Sequence, residues 1–201
     1  VRDGLDRGWN ENGQKWYETN YKDGLRNGIC KVWYENGNLI YEYNYKNGKK
    51  NGLFRRWDMS GNLTSEENYE NDRITIIDGL NKTWYDNGQI KNEFNYKDGK
   101  KNGLCREWNK NGQLKSELNY NNDRMDGLNK RWYDNGQIKN EANYKNGEKN
   151  GLYREWWNNG KIYCKCNYNN GKRNGSNKYW NSNGKLILNQ IYMNDILLKE
   201  Q

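Results

Sequence analysis

The sequence predicts an all-β protein, an elongated single-layer antiparallel sheet made of eight tandem 24-residue β-hairpin repeats. Three observations predict it. Trp recurs at Trp9, Trp33, Trp57, Trp84, Trp108, Trp132, Trp156 and Trp180, 24 residues apart except for 27 between Trp57 and Trp84. Gly stands five residues before each Trp, from Gly4 to Gly175, and four after each, from Gly13 to Gly184. Tyr stands twelve residues after each, from Tyr21 to Tyr192.

The repeats divide one domain of 201 residues into an incomplete first unit (1–24), regular units (25–173) and a C-terminal capping unit (174–201). The first unit carries Lys15 where the others have Leu or Ile. The three extra residues of the longer spacing fall in Arg73–Ile77. The last unit, "KLILNQIYMNDILLKE", has apolar residues at both strand parities, which suits a cap over an open sheet edge. Asp78–Lys97 matches Asp126–Lys145 at all but two positions, Thr83/Arg131 and Phe94/Ala142, so a two-repeat block has been duplicated.

Each repeat reads as a hairpin. The stretch "Y-[DE]-N-G" fits a type I turn followed by a left-handed Gly. A three-residue loop such as Asp86-Asn87-Gly88 sets Trp84 opposite Ile90 and Leu80 opposite Phe94. That register gathers the apolar positions of both strands on one face. The strands fall at about Leu80–Tyr85 and Gln89–Tyr96, and the return connection, "KDGKKNG", carries two turn signals. One hairpin alone is marginal in water. Some sixteen strands in tandem would extend roughly 75 Å at about 4.8 Å each.

Composition supports order without a thick core. Only 32% of residues are hydrophobic and mean hydropathy is −1.47, values that suit disorder. Ten Trp, seventeen Tyr and two Phe argue the other way, because each buried ring hides about 150–250 Å². No His is present, which removes the commonest general base and metal ligand. No apolar run approaches a membrane span. The chain starts at Val1 rather than Met, which points to a removed N-terminal piece and leaves compartment undecided between bacterial cytoplasm and cell surface.

The unit "G-L-x-[KR]-x-W-Y-x-N-G-x-L-K-x-E-x-N-Y-K-x-G-K-K-x-G" resembles the MORN-variant repeat of bacterial proteins, the group labelled YwqK-type antitoxins, over all eight units. The resemblance implies a twisted single-layer sheet of hairpins and an antitoxin- or immunity-like role. It also implies alternatives: a secreted or surface module for host-cell adhesion, or binding to anionic lipid. Fold does not fix function, so the residues are weighed separately.

No enzyme is expected. Neither a nucleophile elbow nor a phosphate-binding glycine motif occurs. Glu18, Glu42, Glu66, Glu93, Glu117 and Glu141 recur nine residues after Trp, about 10 Å apart on neighbouring repeats. Such a row reads as solvated or paired with Lys and Arg rather than as a carboxylate pair. Cys164 and Cys166 form C-x-C without further ligands of metal-binding spacing; these, Cys30 and Cys105 read as packing residues, and no metal or cofactor is expected.

Recognition is expected at positions that vary. The residue after the marker Trp includes Tyr34, Tyr85, Tyr133 and Trp157, interface-rich types facing away from the marker Trp; the competing reading, at even weight, is a second packing ladder. A basic edge of Arg26, Lys49, Lys50, Arg73, Lys100, Lys101, Arg124, Lys149, Lys172 and Arg173 is expected in the return loops, in a chain of net charge +8. It suits an acidic partner protein, a toxin or a host surface protein, although lysine-rich loops more often serve solubility and edge protection. A membrane surface is a further candidate; nucleic acid is a minor one, because acidic residues recur in the same units.

Overall fold

The computed structural model describes residues 1–76 and 78–200. It is all-β, with no helix among the described residues. The chain forms two compact units, Val1–Lys91 and Asn92–Gln201. In the first, strands Gly4–Trp9, Lys15–Lys22, Leu25–Trp33, Leu39–Lys46, Gly52–Trp57, Leu63–Glu70 and Arg73–Thr75 pair in sequence order, each antiparallel to the next. The second repeats the pattern through Gly103–Trp108, Leu114–Asn121, Gly127–Trp132, Ile138–Lys145, Glu148–Trp156, Ile162–Asn169, Gly175–Trp180, Leu186–Met193 and Ile196–Glu200. The tandem-hairpin expectation is met. The stretch Arg73–Ile77, expected to hold the three-residue insertion, is a strand over Arg73–Thr75, and its last residue lies outside the described residues.

Both turns of the repeat follow from glycine and asparagine chemistry. The Tyr85 amide donates to the Gln89 carbonyl at 2.8 Å and the Gly88 amide to the Tyr85 carbonyl at 2.9 Å, with Gly88 at φ +79°. This is the expected three-residue loop. The return turn has two residues, both left-handed: Asn47 at φ 50° and Gly48 at φ 79°. That is the hairpin turn whose twist matches its strands. Asn122 occupies the same position at φ 48°. Asn122→Ala should therefore cost about 1–2 kcal/mol, read as a lower urea midpoint with an unchanged slope.

The register departs from expectation. The seven hairpins whose pairing is described each carry a β-bulge beside the marker Trp: Trp108 pairs with Leu114, but Glu107 pairs with Ser116. Lys115 is the extra residue, and beyond it all partners shift by one. Leu104 thus faces Asn119 and Leu53 faces Asn68. The expected pairing of Leu80 with Phe94 has no counterpart in these hairpins, and the gathering of all apolar positions on one face is corrected accordingly. Side chains alternate along a strand, so Leu104, Arg106 and Trp108 share one face, and Cys105, Ser116, Leu118 and Tyr120 the other.

The two faces differ in kind. All residues classed as buried among those described, namely Thr19, Cys30, Cys105, Ser116, Asn129, Ala142, Cys164, Cys166, Asn177 and Tyr192, lie on the tyrosine face of their sheet. The tryptophan face is half open: Trp9 is 58% exposed, Leu80 51% and Leu128 41%. It carries the recurrent glutamates, which are paired. Arg106 reaches Glu117 at 2.9 Å and Glu93 at 3.9 Å; Arg55 reaches Glu66 at 2.7 Å and Glu42 at 3.6 Å. Each of the first six repeats contributes one charge of each sign, so the row alternates across their strands; the last two hold Lys165 and Asn189 in place of Glu.

Repeats are also joined along both edges. On the return-turn edge the Gly48 amide donates to the Arg26 carbonyl at 2.9 Å, and the Asp123 amide to Lys101 at 3.0 Å. Asp123 also accepts the Lys101 amide at 2.8 Å. On the other edge the side-chain amide of Asn36 donates to the Met59 carbonyl at 2.8 Å, and that of Asn135 to Asn158 at 2.9 Å.

Candidate partner-binding groove

The basic residues occupy different places from those expected. Lys49–Lys50, Lys100–Lys101 and Lys172–Arg173 are short strand segments beside the return turns, not loops. Successive side chains point to opposite faces. Lys49, Lys100, Lys172, Arg73 and Arg124 are exposed. The others, of which Arg26 is also exposed, lie over rings of the tyrosine face. Lys50 Nζ is 4.9 Å from the Tyr43 ring and 5.0 Å from Tyr69; Lys101 is 4.3 Å from Phe94. Lys149 is 4.1 Å from Tyr153, Arg173 4.0 Å from Tyr192 and Arg26 5.5 Å from Tyr45. A cation over an aromatic ring is attracted to its negative face, so these residues cover the rings as well as carrying charge.

Tyr34, Tyr133 and Trp157 join successive repeats. The Tyr34 hydroxyl donates to the Trp57 carbonyl at 3.3 Å, Tyr133 to Trp156 at 2.7 Å, and the Trp157 indole N–H to Trp180 at 3.1 Å. Tyr85 lies 5.7 Å from the Lys91 ammonium. These aromatics are partly buried, each one residue beyond the end of its strand.

In the first unit the tyrosine face opens into a groove of about 570 Å³. Three rows of paired residues build it. The middle row, across four strands, reads Asp6, Thr19, Cys30 and Tyr43. One flank reads Tyr17, Val32 and Tyr41. The other carries Tyr21 opposite Arg26 and Tyr45 opposite Lys50. Thr19 and Cys30 are small and face each other. One repeat further on, the equivalent positions hold Tyr43 and Phe54, whose rings stack at 4.7 Å. The groove is thus the gap left where two large rings are replaced by small side chains. Trp16, packed edge-on against Tyr17 at 4.4 Å, closes one side.

The electrostatics of this groove are lopsided. Arg2 forms an ion pair with Asp6, and Tyr17 donates to Asp6 at 2.9 Å; Arg2 foremost, then this hydroxyl, hold the Asp6 carboxyl below its ordinary range. Arg26 and Lys50 have no carboxylate partner among the described residues. The Thr19 hydroxyl is buried without a hydrogen-bond partner.

Burial, then the neighbouring tyrosines, push the Tyr43 phenol up to about 12; burial, then Glu67, do the same for Tyr69. The unfolded chain ionises its phenols near pH 10. Stability is therefore full below about pH 10 and falls as pH rises from there toward 12. Urea midpoints measured from pH 8 to 11.5 should show this decline, shallower in Tyr43→Phe; a flat wild-type profile would contradict the burial of these rings.

At the far end of the chain Cys164 and Cys166 lie buried on the tyrosine face, hydrogen-bonded to each other, with Cys166 Sγ 3.5 Å from the Tyr179 hydroxyl. The bond from Cys164, foremost, draws the Cys166 thiol down, while Cys164 is pushed up. Among the described residues no group of three or more Cys, Asp or Glu is placed to hold a metal.

The groove residues Trp16, Tyr17, Thr19, Tyr21, Tyr41, Tyr43 and Tyr45 were absent from the sequence-based site. The available signal was the simultaneous loss of bulk at Thr19 and Cys30, usable only once the register is known.

A tandem β-hairpin sheet of this kind, with a covered aromatic face and alternating charges on the other, defines a repeat scaffold. The chain belongs to the MORN repeat variant family, whose model matches residues 2–23, 26–47, 50–71, 77–98, 101–122, 125–146 and 149–170. The match covers seven of the eight repeats and omits the divergent last one. No curated protein matches the chain. MORN repeats are modules of protein and membrane-surface interaction, built on a scaffold that is typically non-catalytic.

Proposed function

We propose that this protein is a non-enzymatic scaffold that binds a partner protein in an antitoxin- or immunity-like role, using the tyrosine face of its first unit. The observation that carries the reading is the 570 Å³ groove, lined by aromatic walls with two cations lacking carboxylate partners. Concave, largely preformed pockets with a few convergent polar groups are the usual form of a binding site, and Tyr, Trp and Arg dominate the energetics of protein interfaces. Tyr34, Tyr85, Tyr133 and Trp157 would add flanking contacts. The exposed lysines Lys49, Lys100 and Lys172 would act at longer range, raising the association rate at low salt.

The test is capture from native cells, followed by reconstitution with the purified partner. The expected outcome is a stable complex. Expression of the partner alone should arrest growth in a heterologous host, and co-expression of this protein should restore it. A partner that is harmless alone would remove the antitoxin-like role, and catalytic turnover by the purified protein would overturn the scaffold reading.

A further inference from the structure

We propose that the gap over Thr19 and Cys30 is a specificity pocket for one tyrosine side chain carried in an acidic segment of the partner. This rests on the scaffold reading above and names what the groove selects. Three features of different kinds point to the same ligand.

The first is shape. Two ring positions are vacated together, and the vacancy lies between walls of Tyr and Trp. An incoming aromatic ring would take the place that Tyr43 and Phe54 fill one repeat later, where such rings stack at 4.7 Å. Offset-stacked and edge-on arrangements are the preferred ones for aromatic pairs.

The second is the floor. Thr19 is 3% exposed and its hydroxyl has no hydrogen-bond partner. An unpaired buried hydroxyl carries a desolvation penalty that a ligand oxygen can relieve. A phenol supplies that oxygen at the tip of the ring, where a phenylalanine has none.

The third is charge. Arg2, Arg26 and Lys50 stand around the groove against the single carboxylate of Asp6, which Arg2 already occupies. Arg26 and Lys50 remain for carboxylates on either side of the inserted ring. The volume of about 570 Å³ exceeds one ring and accommodates flanking chain.

The probe is a labelled five-residue peptide, Glu-Asp-Tyr-Asp-Glu, followed by fluorescence anisotropy on the full chain at low and moderate salt. Binding is expected, weakened by salt. Replacing the central Tyr by Ala, or the acidic residues by Lys, should weaken it about tenfold or more. The double substitution Thr19→Tyr with Cys30→Phe rebuilds the stacked pair of the following repeat, closes the gap and should abolish binding, with an unchanged thermal melt confirming the fold. Thr19→Val exchanges only the hydroxyl, for a methyl group. It should weaken the Tyr peptide several-fold while leaving the Phe-centred peptide unchanged, and it decides the matter if the double variant fails to fold.

Undiminished binding by a folded double variant would overturn the proposal. So would equal affinity for Tyr- and Ala-centred peptides, no peptide binding at millimolar concentration, or groove-dependent binding of phosphatidylserine vesicles in place of the peptide. A captured protein partner that binds wild type and folded double variant equally would sink this pocket while leaving the scaffold reading intact.

Discussion

Tyr153→Ala should be among the most destabilising single substitutions in the second unit, costing about 3–5 kcal/mol, as for other truncations of packed aromatics. The ring does several things at once. It packs edge-on against Tyr168 at 6.2 Å, carries the Lys149 ammonium 4.1 Å from its centre, and places its hydroxyl 2.6 Å from Glu155. Across the strands it faces Ala142 and Cys166, both buried and both too small to fill the vacated space. Tyr153→Phe keeps the ring and loses only the bond to Glu155, so about 1 kcal/mol is expected. Urea unfolding followed by circular dichroism separates the two. Equal losses would mean that the hydroxyl, not the ring, holds this part of the sheet.

Gly127→Val is the second large effect. Gly127 pairs with Tyr144 inside the sheet at φ +102°, a conformation that β-branched residues essentially do not adopt. A Cβ there would meet the Asn119 Cβ at 3.4 Å, and Asn119 is tied to the Leu128 carbonyl. Backbone strain of about 1–3 kcal/mol adds to that crowding, so a loss of roughly 3 kcal/mol is expected. Gly13 provides the contrast: its φ is +79°, but nothing lies within 4 Å of an added Cβ. Gly13→Ala should cost about 1–2 kcal/mol. If Gly127→Val melts with the wild type, the left-handed step is not required by the fold.

The repeat, the hairpin and the first turn were legible because each is marked by residue types that the geometry demands. Trp and Tyr keep step, and Gly88 stands where the turn needs a left-handed residue. The bulge is unmarked. Its extra position holds Trp16, Ile40, Thr64, Lys115, Lys139, Tyr163 or Ile187 in different repeats, because a bulged residue needs no particular side chain. One unmarked residue reversed the assignment of half the repeat to a face. The same shift hid the groove, since Thr19 and Cys30 meet only in the bulged register. The basic pairs were misread for a different reason. Flanked by glycines on both sides, "GKKNG" looks like loop. The glycines instead bound a two-residue strand, which turns one lysine onto the tyrosines and leaves the other in water.

The bonds that run along both edges have a genetic corollary. Successive repeats exchange like backbone contacts, and each of the first six brings one positive and one negative charge to the alternating row. Loss or gain of a whole repeat within either sheet, by unequal crossover between near-identical stretches of gene, would rejoin strand to strand with donors, acceptors and charge signs still matched. The stretches Asp78–Lys97 and Asp126–Lys145 are the trace of one such event. What recombination would change is the order of side chains along the tyrosine face. Large rings can move next to small residues, and a gap like that over Thr19 and Cys30 can open or close. The lineage can therefore redraw its tyrosine face by shuffling copies, without a single substitution in the scaffold that carries it.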